Sequence, residues 1–225
     1  MVTRTLSILM VLACASLTVA IADDYVWQDG TFSDSDWDMH VFYKEGNGGT
    51  TSAWQVLSGG NPGPFRMIEN VVNDAPPYSG IGAFHRYIPV VYDPAVSGAI
   101  TTIDYEEDAI MVEGAGDGQA TGPAVRQAGV VYYHWIGGTA YAEWTHLSVY
   151  SLTAADFRDT PYTYLHPDFS ADAPPLEIGF YRANSTYSGG YTILSGIDNW
   201  SFTIHTGQPT AVESTSWGRI RALYR

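Results

Sequence analysis

The chain has 225 residues, 24 Asp plus Glu against 10 Lys plus Arg, and a formal net charge of −14 at pH 7. This excess of negative charge disfavours nucleic acid and anionic membrane as partners of the main body and suits an exported, soluble protein or one that takes up divalent cations. A lone cysteine, Cys14, excludes an intramolecular disulfide, whereas 16 Tyr and 7 Trp supply flat rings for a β core or for stacking on sugars.

The N-terminus reads as an export leader. Arg4 precedes the apolar run 6–20, and Ala20-Ile21-Ala22 has the small-x-small form accepted at a cleavage site, directly ahead of Asp23-Asp24. Cleavage after Ala22 removes residues 1–22, and Cys14 with them. The mature chain then has no thiol and no transmembrane span, the leader run itself being short for a membrane crossing. An uncleaved anchor and a lipoprotein attached at Cys14 are the alternative readings.

Residues 23–206 show short β runs between turn-formers. The runs are 39–43, 53–57, 65–72, 82–92, 99–112, 124–135, 142–150, 176–182 and 200–205, rich in Val, Ile, Tyr, Phe and Thr. Gly46-Asn47-Gly48-Gly49, Gly59-Gly60-Asn61-Pro62-Gly63, Asp74-Ala75-Pro76-Pro77, 114–118 and Gly137-Gly138 break them. One helical turn is expected at 153–157, capped by Thr153. Many short strands with no long helical period predict an all-β, antiparallel β-sandwich. Trp37, Trp144 and Trp200 lie in apolar contexts and are expected in its core. Residues 207–216 have linker chemistry. The tail 217–225 concentrates Arg219, Arg221 and Arg225 beside Trp217, Ile220, Leu223 and Tyr224, which makes it a candidate for binding an export or anchoring partner.

Three phrases carry a resemblance. Asp29-Gly30-Thr31-Phe32 with Asp36-Trp37 looks like a first strand. Ser58-Gly59-Gly60-Asn61-Pro62-Gly63 with Phe65-Arg66 looks like an early hairpin, and 196–203 like a closing strand. In this order they resemble exported bacterial jelly-roll domains similar to concanavalin A-like lectins and carbohydrate-binding modules. The tail resembles short C-terminal Trp-Gly-x-Ile-Arg-x-Leu-Tyr-Arg segments of exported bacterial proteins. The resemblance implies a secreted protein that binds glycan or another cell-surface component. It also implies a structural calcium between first and last strands, for which Asp29 and Asp198 are the candidate ligands, with Asp34, Asp36 and Asn199 near them.

The sharpest local pattern is Asp104-Tyr105-Glu106-Glu107-Asp108. Residues two apart share a strand face, so Asp104, Glu106 and Asp108 line up against Ile103, Tyr105 and Ala109, with Glu107 out of pattern. Laminarinase-like hydrolases on a similar sandwich carry Glu-x-Asp-x-Glu, and retaining hydrolysis needs carboxyls about 5–5.5 Å apart. Here the order is Asp-x-Glu-x-Asp, with the outer side chains a methylene shorter. This favours a non-catalytic binding module and leaves a glycoside hydrolase, or a purely structural or adhesive module, as alternatives. For a sugar site, His85, Arg86, Tyr105, Glu107, Arg126, Gln127 and Tyr133 come from three neighbouring β runs and are the candidates for one ligand-binding face.

Overall fold

Strands that are apolar on one face must bury that face, and two stacked sheets achieve this. The computed structural model describes residues 23–114, 118–159 and 163–207. The first sheet holds β1 (Asp24–Asp29), β3 (Gly49–Gly60), β4 (Gly63–Val72), β6 (Ile100–Glu113), β10 (Thr145–Leu152) and β12 (Tyr191–Thr206). The second holds β2 (Trp37–Gly46), β5 (Ser79–Tyr92), β7 (Ala120–Gln127), β8 (Val130–Tyr133), β9 (Gly137–Gly138) and β11 (Leu176–Thr186). The orders are β10-β6-β12-β4-β3, with β1 added to β12, and β2-β5-β11-β7-β8, with β9 added to β7. Every pairing between these strands is antiparallel. The chain crosses repeatedly between the layers, giving an antiparallel β-sandwich of jelly-roll type. The leader, the linker beyond Gly207 and the tail lie outside the described residues.

β12 organises the first sheet. β6 follows one edge of it, while β4 covers 191–197 and β1 covers 200–205 on the other. Asp198 and Asn199 occupy the gap between β4 and β1. The inward faces build an aromatic core in which Trp37 meets Trp200 edge-on at 4.9 Å, with Phe180, Phe202 and Ile103 around them. Each such large apolar side chain contributes about 1.5–3 kcal/mol on burial.

Part of the interior is polar. Arg182 and Glu107 are both fully buried. Arg182 Nη1 donates to Glu107 Oε2 at 3.1 Å, Tyr105 Oη donates to the same oxygen at 2.5 Å, and Thr121 Oγ1 donates to Oε1 at 2.7 Å. The Arg182 guanidinium also lies over the Phe180 ring at 4.9 Å. His85 stacks flat on that ring, centroids 4.5 Å apart. Burial, reinforced by the charges of Arg66 and Arg182, pushes the His85 pKa well below its ordinary value, so the imidazole is neutral.

Several local expectations are corrected. The run 124–135 is two strands, because Ala128 (φ 50°) and Gly129 (φ 85°) make a tight hairpin between β7 and β8. The first strand is β1, and Asp29 to Phe32 turn the corner after it. Gly137-Gly138 pairs with β7 instead of forming only a turn. Trp37 and Trp200 are buried, but Trp144 is half-buried, edge-on to Phe65 at 5.3 Å, with Nε1 donating to the Gly59 carbonyl.

Candidate functional site

The outward face of the second sheet carries a groove of about 1180 Å³. Its position follows from the period of two along β11. Ile178, Phe180 and Arg182 point between the sheets, so Tyr181 and Ala183 point out. Opposite them, Tyr181 pairs with Phe84 and Gly122, and Ala183 with Gly82 and Ala120. Of these, the small side chains of Ala120 and Ala183 line a trough. A Cβ on Gly82 would stand 3.3 Å from the Ala183 Cβ and 3.4 Å from Phe42 Cζ, so a larger residue there would crowd the floor.

Aromatic rings wall the trough. Tyr133 of β8 packs on Tyr181 at 4.7 Å, and Phe42 of β2 packs on Tyr133 at 5.6 Å. Tyr43 Oη donates to Glu45 Oε2 and accepts from Tyr78 Oη, both at 2.7 Å, which ties the β2 edge to the start of β5. Trp135 and Tyr141 stand on the other side, Trp135 with 61% of its surface exposed. Tyr191, Thr192 and Ile193 close the end where β12 begins. Burial raises the pKa of Tyr133 and, more strongly, of Tyr181 and Tyr43, so these phenols stay protonated at neutral pH and remain hydrogen-bond donors.

The seven candidate ligand-binding residues do not share one face. Tyr133 lines the groove. Arg86 and Arg126 lie on the same outer face outside it. They clamp Glu177, Arg86 Nη1 at 2.6 Å from Oε1 and Arg126 Nε on Oε2, and Arg86 also holds Asp38. His85, Tyr105 and Glu107 are fully buried between the sheets, where no ligand reaches them. Gln127 is buried too, donating to the carbonyls of Asp168 and Pro174 and accepting from the Asp168 amide. The physical reason is alternation: His85 and Arg86, like Arg126 and Gln127, are neighbours on a strand and must face opposite sides.

Asp104, Glu106 and Asp108 do share the outward face of β6, on the first sheet, and none of them lines the groove. Each is engaged. Asp104 accepts from the Ser151 amide at 2.7 Å and meets His205 Nε2 at 2.8 Å. Glu106 accepts from Tyr150 Oη at 2.6 Å. Asp108 meets His146 Nδ1 at 2.9 Å and accepts from Asn199 Nδ2 at 2.7 Å. Glu107, out of pattern by polarity, keeps the strand period and faces inward.

The proposed calcium ligands are likewise committed to protein donors. Asp29 Oδ1 accepts from the Thr31 amide and hydroxyl and from the Phe32 amide, and Oδ2 accepts from Trp37 Nε1 at 2.7 Å. Asp198 accepts from the amides of Asn61 and Asn199 at 2.5 and 2.7 Å. Burial, with Asp108 and Asp29 adding to it, raises the Asp198 pKa. Calcium needs six to eight oxygens turned to one point. Asp29 and Asp198 instead accept from protein N–H and O–H donors, and no group of three His, Cys, Asp or Glu that could hold a metal ion is found among the described residues.

The groove aromatics Phe42, Tyr181 and Trp135 went unidentified in the sequence. Their signal was the outward phase of β11 next to inward Phe180, which is readable only once the sheet partners are known.

No protein-family model matches the chain, and no curated protein does. Among solved structures, the chain is similar to a family 11 carbohydrate-binding module from Clostridium thermocellum in complex with a β-1,3-1,4-mixed-linked tetrasaccharide. Identity is 13%, with 81% of this chain and 96% of that one covered, and the TM-score is 0.48. A module described for specific mannan recognition is 11% identical over 82% of this chain and 100% of its own, with a TM-score of 0.42. A protein of unknown function from Shewanella oneidensis MR-1 is 15% identical, covering 84% and 89%, with a TM-score of 0.41.

Proposed function

We propose that the protein is an exported, non-catalytic glycan-binding module that takes an extended oligosaccharide in the groove of the second sheet. The observation that carries this is the groove itself: a trough cleared by small residues and walled by Phe42, Tyr43, Tyr78, Tyr133, Trp135 and Tyr181. Its volume of about 1180 Å³ exceeds the ~300–1,000 Å³ of clefts for single small molecules, which suits several linked sugar rings. Rings offer the apolar faces of sugars a stacking surface, and the phenols supply polar anchors. Against turnover, the carboxylates of β6 lie on the opposite sheet and are held by their neighbours.

Export rests on the leader, and N-terminal sequencing of protein recovered from the medium should begin at Asp23. Binding is tested by calorimetric titration of purified protein with a panel of neutral and acidic oligosaccharides. At least one should bind, and Trp135→Ala should weaken it roughly tenfold, about 1.4 kcal/mol, with an unchanged melting temperature. Absence of binding across the panel, or full affinity in both Trp135→Ala and Tyr133→Ala, overturns the reading.

A further inference from the structure

The groove has an unusual charge. In a chain with 24 Asp plus Glu and 10 Lys plus Arg, none of the described residues that line the groove is acidic and one, Arg158, is basic. Arg158 is exposed, and its guanidinium lies 5.6 Å from the centre of the Tyr133 ring. The other arginines of the described residues are each held by a carboxylate: Arg66 by Asp34, Arg86 by Asp38 and Glu177, Arg126 by Glu177, and Arg182 by Glu107. Arg158 makes no ion pair among the described residues.

Its position is nevertheless fixed. The Tyr133 amide donates to the Arg158 carbonyl at 2.8 Å, and the Arg158 amide donates back at 3.1 Å, an isolated β-bridge that pins this residue to the edge of β8. Asp159 is buried and accepts from Thr163 Oγ1 and the Leu165 amide, while Glu45 accepts from Tyr43 Oη. A guanidinium held against an aromatic wall, with no ion pair to a carboxylate among the described residues, is a receptor for a two-oxygen anion.

Resting on the groove reading above, we infer that the ligand is an anionic glycan whose oxyanion, a uronate carboxylate or a sulfate ester, is bound by Arg158 while the adjoining ring stacks along the Tyr133 side of the groove. A described lining without carboxylates then serves selection, since it spares an anion the repulsion that an acidic surface would impose.

The test is a titration of full-length mature protein with three oligosaccharides of matched length: a polyuronate, a sulfated galactan and a neutral β-glucan. At least one anionic ligand should bind roughly tenfold or more tightly than the neutral one, and the preference should shrink as salt rises. Arg158→Gln should remove that preference, and Arg158→Lys should restore only part of it. Which anionic ligand gains identifies the oxyanion. Binding of the neutral ligand as tightly as both anionic ones, or a preference unchanged in Arg158→Gln, overturns this inference and leaves the groove reading standing. Failure of all three to bind overturns both. The residue is exposed, so an unchanged melting temperature certifies that the variant is folded.

Discussion

Replacing Arg182 with Met removes the cation from a fully buried pair and leaves Glu107 between the sheets with only Tyr105 Oη and Thr121 Oγ1 as donors. Breaking a buried pair on one side costs about 3–5 kcal/mol, because the remaining charge is uncompensated. Against a net stability of about 5–15 kcal/mol, that is a large fraction. For a domain of this size, roughly 2–4 °C of melting temperature accompany each kcal/mol, so a fall of about 6–20 °C is expected. Replacing both partners, Glu107→Met with Arg182→Met, should recover most of the loss, since two apolar side chains of similar length need no counter-charge. Urea unfolding and thermal melts of wild type, both single variants and the double variant form a complete cycle. A loss below about 1 kcal/mol in Arg182→Met, or a double variant as unstable as the sum of the singles, would refute the view that this buried pair is coupled.

Two histidines should give stability opposite pH slopes. His85 has a lowered folded pKa, so its contribution is present above about pH 6.5 and is lost as pH falls, by at most ~1.4 kcal/mol per pH unit. His85→Phe should flatten the acid side of a melting-temperature profile. His205 has a raised pKa, from Asp104 and then Asp24, so its contribution is present below about pH 6.5 and is lost as pH rises through the raised value. His205→Gln should flatten the neutral-to-alkaline side. Asp29→Ala should cost about 1–2 kcal/mol by freeing the Thr31 and Phe32 amides and Trp37 Nε1, while EDTA leaves the wild-type melt unchanged. Ala183→Leu should fill the trough floor and weaken glycan binding at least tenfold in a titration, with a melting shift of only a few degrees, because the residue faces outward.

The fold was largely legible in the sequence because β-branched and aromatic runs between Gly, Pro and Asn clusters carry a local signal. The alternation that put Asp104, Glu106 and Asp108 on one face of β6 is observed. The site was less legible. Tyr105 and Glu107 share the inward phase of Ile103, yet a carboxylate reads as surface until its buried partner is known, and Arg182 is distant in sequence. Likewise, Tyr181 becomes part of a groove only because the sheet brings Ala120 of β7 and Tyr133 of β8 to its face, a placement that no local pattern encodes. Asp29 reads in the sequence as a calcium ligand; in the structure its oxygens accept from the Thr31 and Phe32 amides and Trp37 Nε1 at the corner between β1 and β2.

Amide chemical-shift mapping during titration with the tightest-binding oligosaccharide tests the central claim most directly. The account predicts shifts clustered at Tyr133, Trp135, Gly138, Tyr181, Ala183 and Ser185, with Asp104, Glu106 and Asp108 on the first sheet, and Trp144 just before β10, unmoved. Shifts concentrated along β6 and β10, with the groove silent, would contradict it.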